Sequence, residues 1–300
     1  MAVTLLAVIV ALAIGHLAPA LAARMRQFGW FRSWLQWLYG QFPEHGFWRG
    51  PYGIALALAV PLLPLALLQI GASRALWGLP GLLLGAAVLA WCWGPRDLDM
   101  DVRAILDAPD AAARRDAAAR LWPDGEAPRL DGPAPVEAVF RNALQRWFAM
   151  LFWFCVLGPV GALLYRLSAL AARDASASLP PATRDGARGW VALLEWPAVQ
   201  LVVLLLALLG NFDSVAAAWR EPGALALDGR VLGTAARASV RSEIAEEVAD
   251  YTESGIPAAT ALAEVFGELP ELRDAMRLVW RVLVLWLALL ALLVVAGWVG

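Results

Sequence analysis

The sequence predicts an all-α fold, a polytopic membrane helix bundle with helical cytoplasmic segments. Hydrophobic residues make up 61% of the 300-residue chain and the mean hydropathy is +0.62, whereas a soluble globular domain is about 45–50% apolar. Six stretches remain apolar over the roughly 20 residues that a helix needs to cross a bilayer. No segment alternates apolar and polar residues in the two-residue period of a half-buried strand.

The first span is expected at residues 2–23, AVTLLAVIVALAIGHLAPALAA. Its small residues resemble a cleavage site, but no positive region precedes it, and Arg24 and Arg26 follow it. It therefore reads as an uncleaved helix with an external N-terminus. In residues 26–42, Trp30, Trp34, Trp37 and Leu38 recur at helical spacing between Arg and Gln. That pattern suits either a helix lying in the membrane interface or one packed in the protein core. Spans at 52–72 and 75–94 complete a first section, residues 1–94. A cytoplasmic helical segment follows at 95–146. Residues 147–210 hold two more spans, 147–167 and 190–210, around an external loop at 168–189. A second cytoplasmic helical segment covers 211–277, with helices expected after Pro257 and near Pro270. The last span, 278–299, falls in a closing section at 278–300.

Arginine sets the orientation. The segments 24–51, 95–146 and 211–277 carry 18 arginines, while the intervening connections carry 5. Positive charge gathers on the cytoplasmic side, so both termini are expected in the periplasm and the chain in the bacterial inner membrane. All 24 cationic side chains are arginine, which excludes a lysine Schiff base and the lysine of a phosphate-binding loop. A net charge of -2 lacks the basic footprint of a nucleic-acid partner. Cys92 and Cys155 lie inside apolar runs and read as packed residues. The distant His16 and His45 do not suggest a zinc site.

Polar groups at membrane depth are costly, and each is a candidate for function. Gln69 and Gln200 read as interhelical glue, and Glu195 as an interfacial carboxylate beside a kink at Trp196 and Pro197. No chain of buried carboxylates runs along several spans, which disfavours an ion-coupled transporter. The sharper candidate is GPRDLDMD, where Asp97, Asp99 and Asp101 follow the third span. As a calcium loop it fails. Counting from Asp97, Val102 occupies the glycine position and Ala108 the closing glutamate position. As a helix start it fits, with Asp97 as cap, the other two near the positive end, and Leu98, Val102 and Ile105 turned inward. The competing reading is an acidic cluster for a cation, such as Mg²⁺, or for a partner's arginine. Asn211 and Asp213 lie on the same expected side, Asp213 as a possible cap for Val215, Ala218 and Trp219. In VLGTAARASVRSEIAEEVADY, Glu243, Glu246, Glu247 and Asp250 share one helical face.

Residues 137–167, EAVFRNALQRWFAMLFWFCVLGPVGALLYRL, together with WGPRDLDMDV, LEWPA, GNFD and RLVWRVLVLWLALL, resemble the AmpE family. Its members are inner-membrane regulatory modulators of β-lactamase induction, related to the CobD/CbiB cobalamin-biosynthesis proteins. The resemblance runs the length of the chain. It singles out Arg96, Glu137, Asn142, Tyr165 and Arg166. Against the CobD/CbiB pattern, four polar positions have become Arg141, Gln145, Ala169 and Ala172. A nucleotide-driven amide ligation needs metal and phosphate ligands, which alanine cannot supply.

The resemblance thus implies a non-catalytic signalling protein without a cofactor, acting through a membrane or cytoplasmic protein partner or a cell-wall-related signal. The alternatives are a CobD/CbiB-like amide-forming enzyme and a small-molecule transporter.

Overall fold

A computed structural model describes residues 6–8, 10, 28–41, 48, 50–73, 79–93, 97–123, 126–173, 179–210, 212–254 and 269–296. Most of the span expected at 2–23, both histidines, Arg96, Asn211 and the helix expected after Pro257 lie outside them. The described residues form helices and connections, with no strand among them. The chain divides into two compact units. One comprises Met1–Pro95, Ala149–Glu195 and Leu290–Gly300; the other comprises Arg96–Phe148 and Trp196–Leu289.

In the first unit, α1 (Gly29–Gln41) packs on α2 (Gly53–Ser73), and α2 on α3 (Leu79–Cys92). The buried stripe of α1 is Phe31, Leu35 and Leu38, while Trp30 and Trp37 are 41% and 53% exposed. Of the tryptophans expected to share a face with Leu38, Trp30 and Trp37 therefore turn away from it, while Trp34 stays against α2. Trp34, stacked on Trp37, donates its indole N–H to the Ala57 carbonyl at 3.1 Å. The helix thus buries an aliphatic and phenyl stripe and presents the indoles of Trp30 and Trp37 outward, an amphipathic arrangement suited to an interface.

The stretch expected as one span at 147–167 is two helices. Helix α7 (Ala149–Leu157) ends at Gly158, whose φ of 68° lies in the left-handed region, and α8 (Pro159–Arg173) restarts at once. Apolar composition suggested continuity, but Gly-Pro ends one helix and opens the next, because glycine tolerates the turn and proline suits a first helical position. Gln69 closes the break. Its Nε2 donates to the Leu157 carbonyl at 3.0 Å and its Oε1 accepts the Val160 N–H at 3.1 Å. Helix α8 packs on α7, α2 and α3. A Cβ on Gly161 would sit 2.0 Å from the Trp153 carbonyl oxygen. Gly161→Ala is therefore expected to cost about 1–3 kcal/mol despite alanine's better helix propensity. A lower thermal midpoint of the detergent-solubilised protein would show it; an unchanged midpoint would mean that the α7 backbone yields freely.

The external loop expected at 168–189 is shorter than the composition suggested. Residues 168–173 extend α8, and α9 (Pro181–Leu209) begins at a proline and absorbs residues 181–189. In the second unit, α4 (Leu98–Leu106) packs on α5 (Ala111–Ala118) and α6 (Ala134–Ala143), and α10 (Phe212–Arg220) packs on α11 (Arg230–Glu253), which also packs on α6. A π turn, Leu144–Phe148, carries α6 onward into α7. The helix expected near Pro270 and the span expected at 278–299 are one helix, α12 (Pro270–Val295).

Helices α2, α9 and α12 are long and apolar enough to cross a membrane; α3, at 14 residues, is shorter than a full span. Leu63, Leu67 and Leu68 on α2, Leu208 on α9, and Val284 and Leu292 on α12 are each at least 60% exposed. Apolar surface repeated along helices of this length is what a lipid environment covers.

Candidate functional site

The three aspartates of GPRDLDMD occupy the start of α4 and separate there. Asp97 is the N-cap, its side chain accepting the Asp99 N–H at 3.3 Å. Asp99 pairs with Arg103 one turn on, at 2.8 Å. Asp101 is fully buried and pairs with Arg146 at 2.7 Å, and Arg146 also donates to the Arg120 carbonyl at 3.2 Å. Leu98, Val102 and Ile105 are buried. A period of two along a helix spreads side chains around it, so alternate aspartates do not converge on one point. Among the described residues, no group of three or more His, Cys, Asp or Glu is placed to hold a metal ion.

Asp213 lies exposed in the first turn of α10, as a charge at the helix's positive end and not as its cap. That helix buries Val215, Ala216 and Ala218, while Trp219 is half-buried and donates its indole N–H to Gln200 Oε1 at 3.1 Å.

The described residues among those marked by the family resemblance make contacts within each unit. Asn142 donates to the carbonyls of Leu121 and Ala138, both at 2.8 Å. Glu137 on α6 pairs with Arg237 on α11 at 3.1 Å. In the first unit, the buried Tyr165 donates its hydroxyl to Glu195 Oε1 at 2.8 Å, and Arg173 pairs with the same oxygen. The Arg166 guanidinium lies over the Phe28 ring, 5.3 Å from its centre. Glu195 is thus held by Tyr165 and Arg173, and α9 runs through Pro197 as one helix.

A second polar grouping, only half visible in the sequence, lies in the second unit. The carboxylates of Glu243, Glu246, Glu247 and Asp250 line a cavity of about 570 Å³, which Asp274, Arg277 and Arg281 of α12 also line. Asp274 is buried and accepts from Arg273 at 3.4 Å and Arg277 at 3.3 Å through one oxygen. Glu243 pairs with Arg281. Burial raises the Glu243 pKa above the usual carboxylate range, the Arg281 charge opposes that, and Asp274 and Glu246 add to it. The acidic stripe on α11 was legible from its spacing. Its opposite wall was not, because spacing along one helix says nothing of Asp274, Arg277 and Arg281 on another.

Compared with protein-family models, curated proteins and solved structures, the chain finds no match.

Proposed function

We propose that the chain is a non-catalytic regulatory protein of the bacterial inner membrane, of the AmpE type, crossing the bilayer several times with both termini in the periplasm. It would modulate β-lactamase induction through a protein partner or a cell-wall-related signal. The reading starts from the sequence resemblance. The observation that carries it further is the engagement of Asn142 and Tyr165 within the scaffold. The Asn142 amide bridges two main-chain carbonyls and the Tyr165 hydroxyl meets Glu195, so these contacts give both side chains a structural role. The three long apolar helices and the polar helices of the second unit suit a membrane-bound receiver of a signal.

The test is deletion of the gene in a strain with an inducible β-lactamase, with β-lactamase activity measured before and after β-lactam exposure. Altered induction is expected, restored by the wild-type chain and equally by Glu137→Gln, which keeps the size of the side chain without its charge. Unchanged induction would refute the reading. Turnover of cobyric acid by the purified protein with ATP and Mg²⁺ would replace it with an amide-forming enzyme of the CobD/CbiB type.

A further inference from the structure

In the first unit, α2 and α9 meet where they begin. A Cβ on Gly186 would collide with the Pro51 carbonyl, and Thr183 donates its hydroxyl to the carbonyls of Trp48 and Gly50. Further along, the facing residues are small, Ala55 and Ala59 on α2 and Gly189 on α9, and nothing from another helix lies within 4 Å of where a Cβ on Gly189 would sit. The result is a groove of about 520 Å³. Its deeper residues are the buried Ile54 and Leu58 of α2 and the half-buried Leu164 of α8. Among the described residues, no charged side chain lines it.

The shape of the groove selects its occupant. Its lining runs from Tyr52 to Leu62, about 15 Å at 1.5 Å per residue. That is the depth of one leaflet, half of a hydrocarbon core about 30 Å thick. Spread over that length, the volume gives a cross-section of about 35 Å². A helix with its side chains is about 10–12 Å across and so needs on the order of 80 Å² or more. The groove therefore takes a single hydrocarbon chain and not a helix. Its setting agrees. Tyr52, 72% exposed, and Trp190, 37% exposed, line the end where both helices begin, and such side chains mark the membrane–water boundary. Arg184, Asp185 and Arg188 precede Trp190 on α9, which puts polar groups beyond that boundary. At the other end, Leu62 leads to the exposed Leu63, Leu67 and Leu68 of α2, so the groove is continuous with the apolar surface that lipid covers.

We propose that this groove binds one acyl chain of a membrane phospholipid lengthwise, with the headgroup beside Tyr52 and Trp190 and the chain end toward Leu62. The bound chain fills the gap between α2 and α9 that their small residues leave.

The test uses the full-length protein in glyco-diosgenin, a detergent without an acyl chain. The protein is loaded with a phosphatidylcholine carrying a diazirine midway along one chain, washed, irradiated, and its adducts mapped by mass spectrometry. A single retained lipid per chain is expected, with adducts at Leu58, Leu62 or Leu193 and few at Leu67 and Leu68. Gly189→Phe and, from the opposite wall, Ala59→Phe should each cut labelling at least about tenfold, since a phenyl ring displaces more than the two methylene groups whose burial that factor represents. Gly189→Phe enters open space and replaces a poor helix former, so its thermal midpoint should stay level or rise, which separates a blocked groove from a lost fold. Loss of all label on washing, label spread evenly to Leu67 and Leu68, or equal labelling of the wild type and both variants would overturn the proposal. A dimeric wild type that Gly189→Phe converts to a monomer would also overturn it, in favour of a second copy of the chain.

Discussion

Arg146→Ala is expected to destabilise the second unit by about 3–5 kcal/mol, because it strands a buried carboxylate. Asp101 has a fully buried side chain and that of Arg146 is 14% exposed, so water can replace little of what the 2.7 Å pair supplies. The same guanidinium also holds the Arg120 carbonyl, in the middle of the 3₁₀ turn that follows α5. Chemical denaturation in detergent micelles, followed by tryptophan fluorescence, should show the loss as a lower midpoint. The double variant Asp101→Leu, Arg146→Met should recover most of it, since removing both charges leaves none to desolvate. A loss below about 1 kcal/mol in the single variant would mean that the pair behaves as an exposed one. Recovery in the double variant would also establish that Asp101 serves packing, with no cation required at the head of α4.

That pair shows where sequence reasoning stops. The N-cap role of Asp97 and the inward face of α4 were legible, because capping and helical periodicity act within a few residues. Arg146 was not, since 45 residues separate it from Asp101 and only the packing of α4 on α6 brings them together. The same division holds elsewhere. Gln69 and Gln200 were identifiable as glue from their isolation in apolar runs, but their partners depended on a turn at Gly158 and on the docking of Trp219. Hydropathy marked the long apolar stretches and yet joined α7 to α8, because it averages across a Gly-Pro break that local backbone geometry enforces. The acid stripe of α11 stood out by spacing. The residues of α12 that face it, Asp274, Arg277 and Arg281, did not, because only tertiary packing sets them there.

Glu195→Ala is expected to destabilise the first unit through two partners at once. Its carboxylate accepts from the Tyr165 hydroxyl and from Arg173 through one oxygen. Tyr165 is 1% exposed, so its hydroxyl loses its acceptor with no access to water, a cost of about 1–3 kcal/mol. Arg173 is 36% exposed at its side chain and can turn toward solvent, so its share is held to the roughly 0–1 kcal/mol of a surface pair. Glu195→Gln keeps an acceptor for Tyr165 and gives up only the charge, and should lose the smaller share. Tyr165→Phe removes the donor with its demand and should cost less than Glu195→Ala. Combined with Glu195→Ala, it should add less than its own single cost, a coupling that a double-mutant cycle in detergent reads directly. Strict additivity would mean that the two side chains do not depend on each other. A Glu195→Gln variant as unstable as Glu195→Ala would instead make the negative charge, and hence Arg173, the dominant partner.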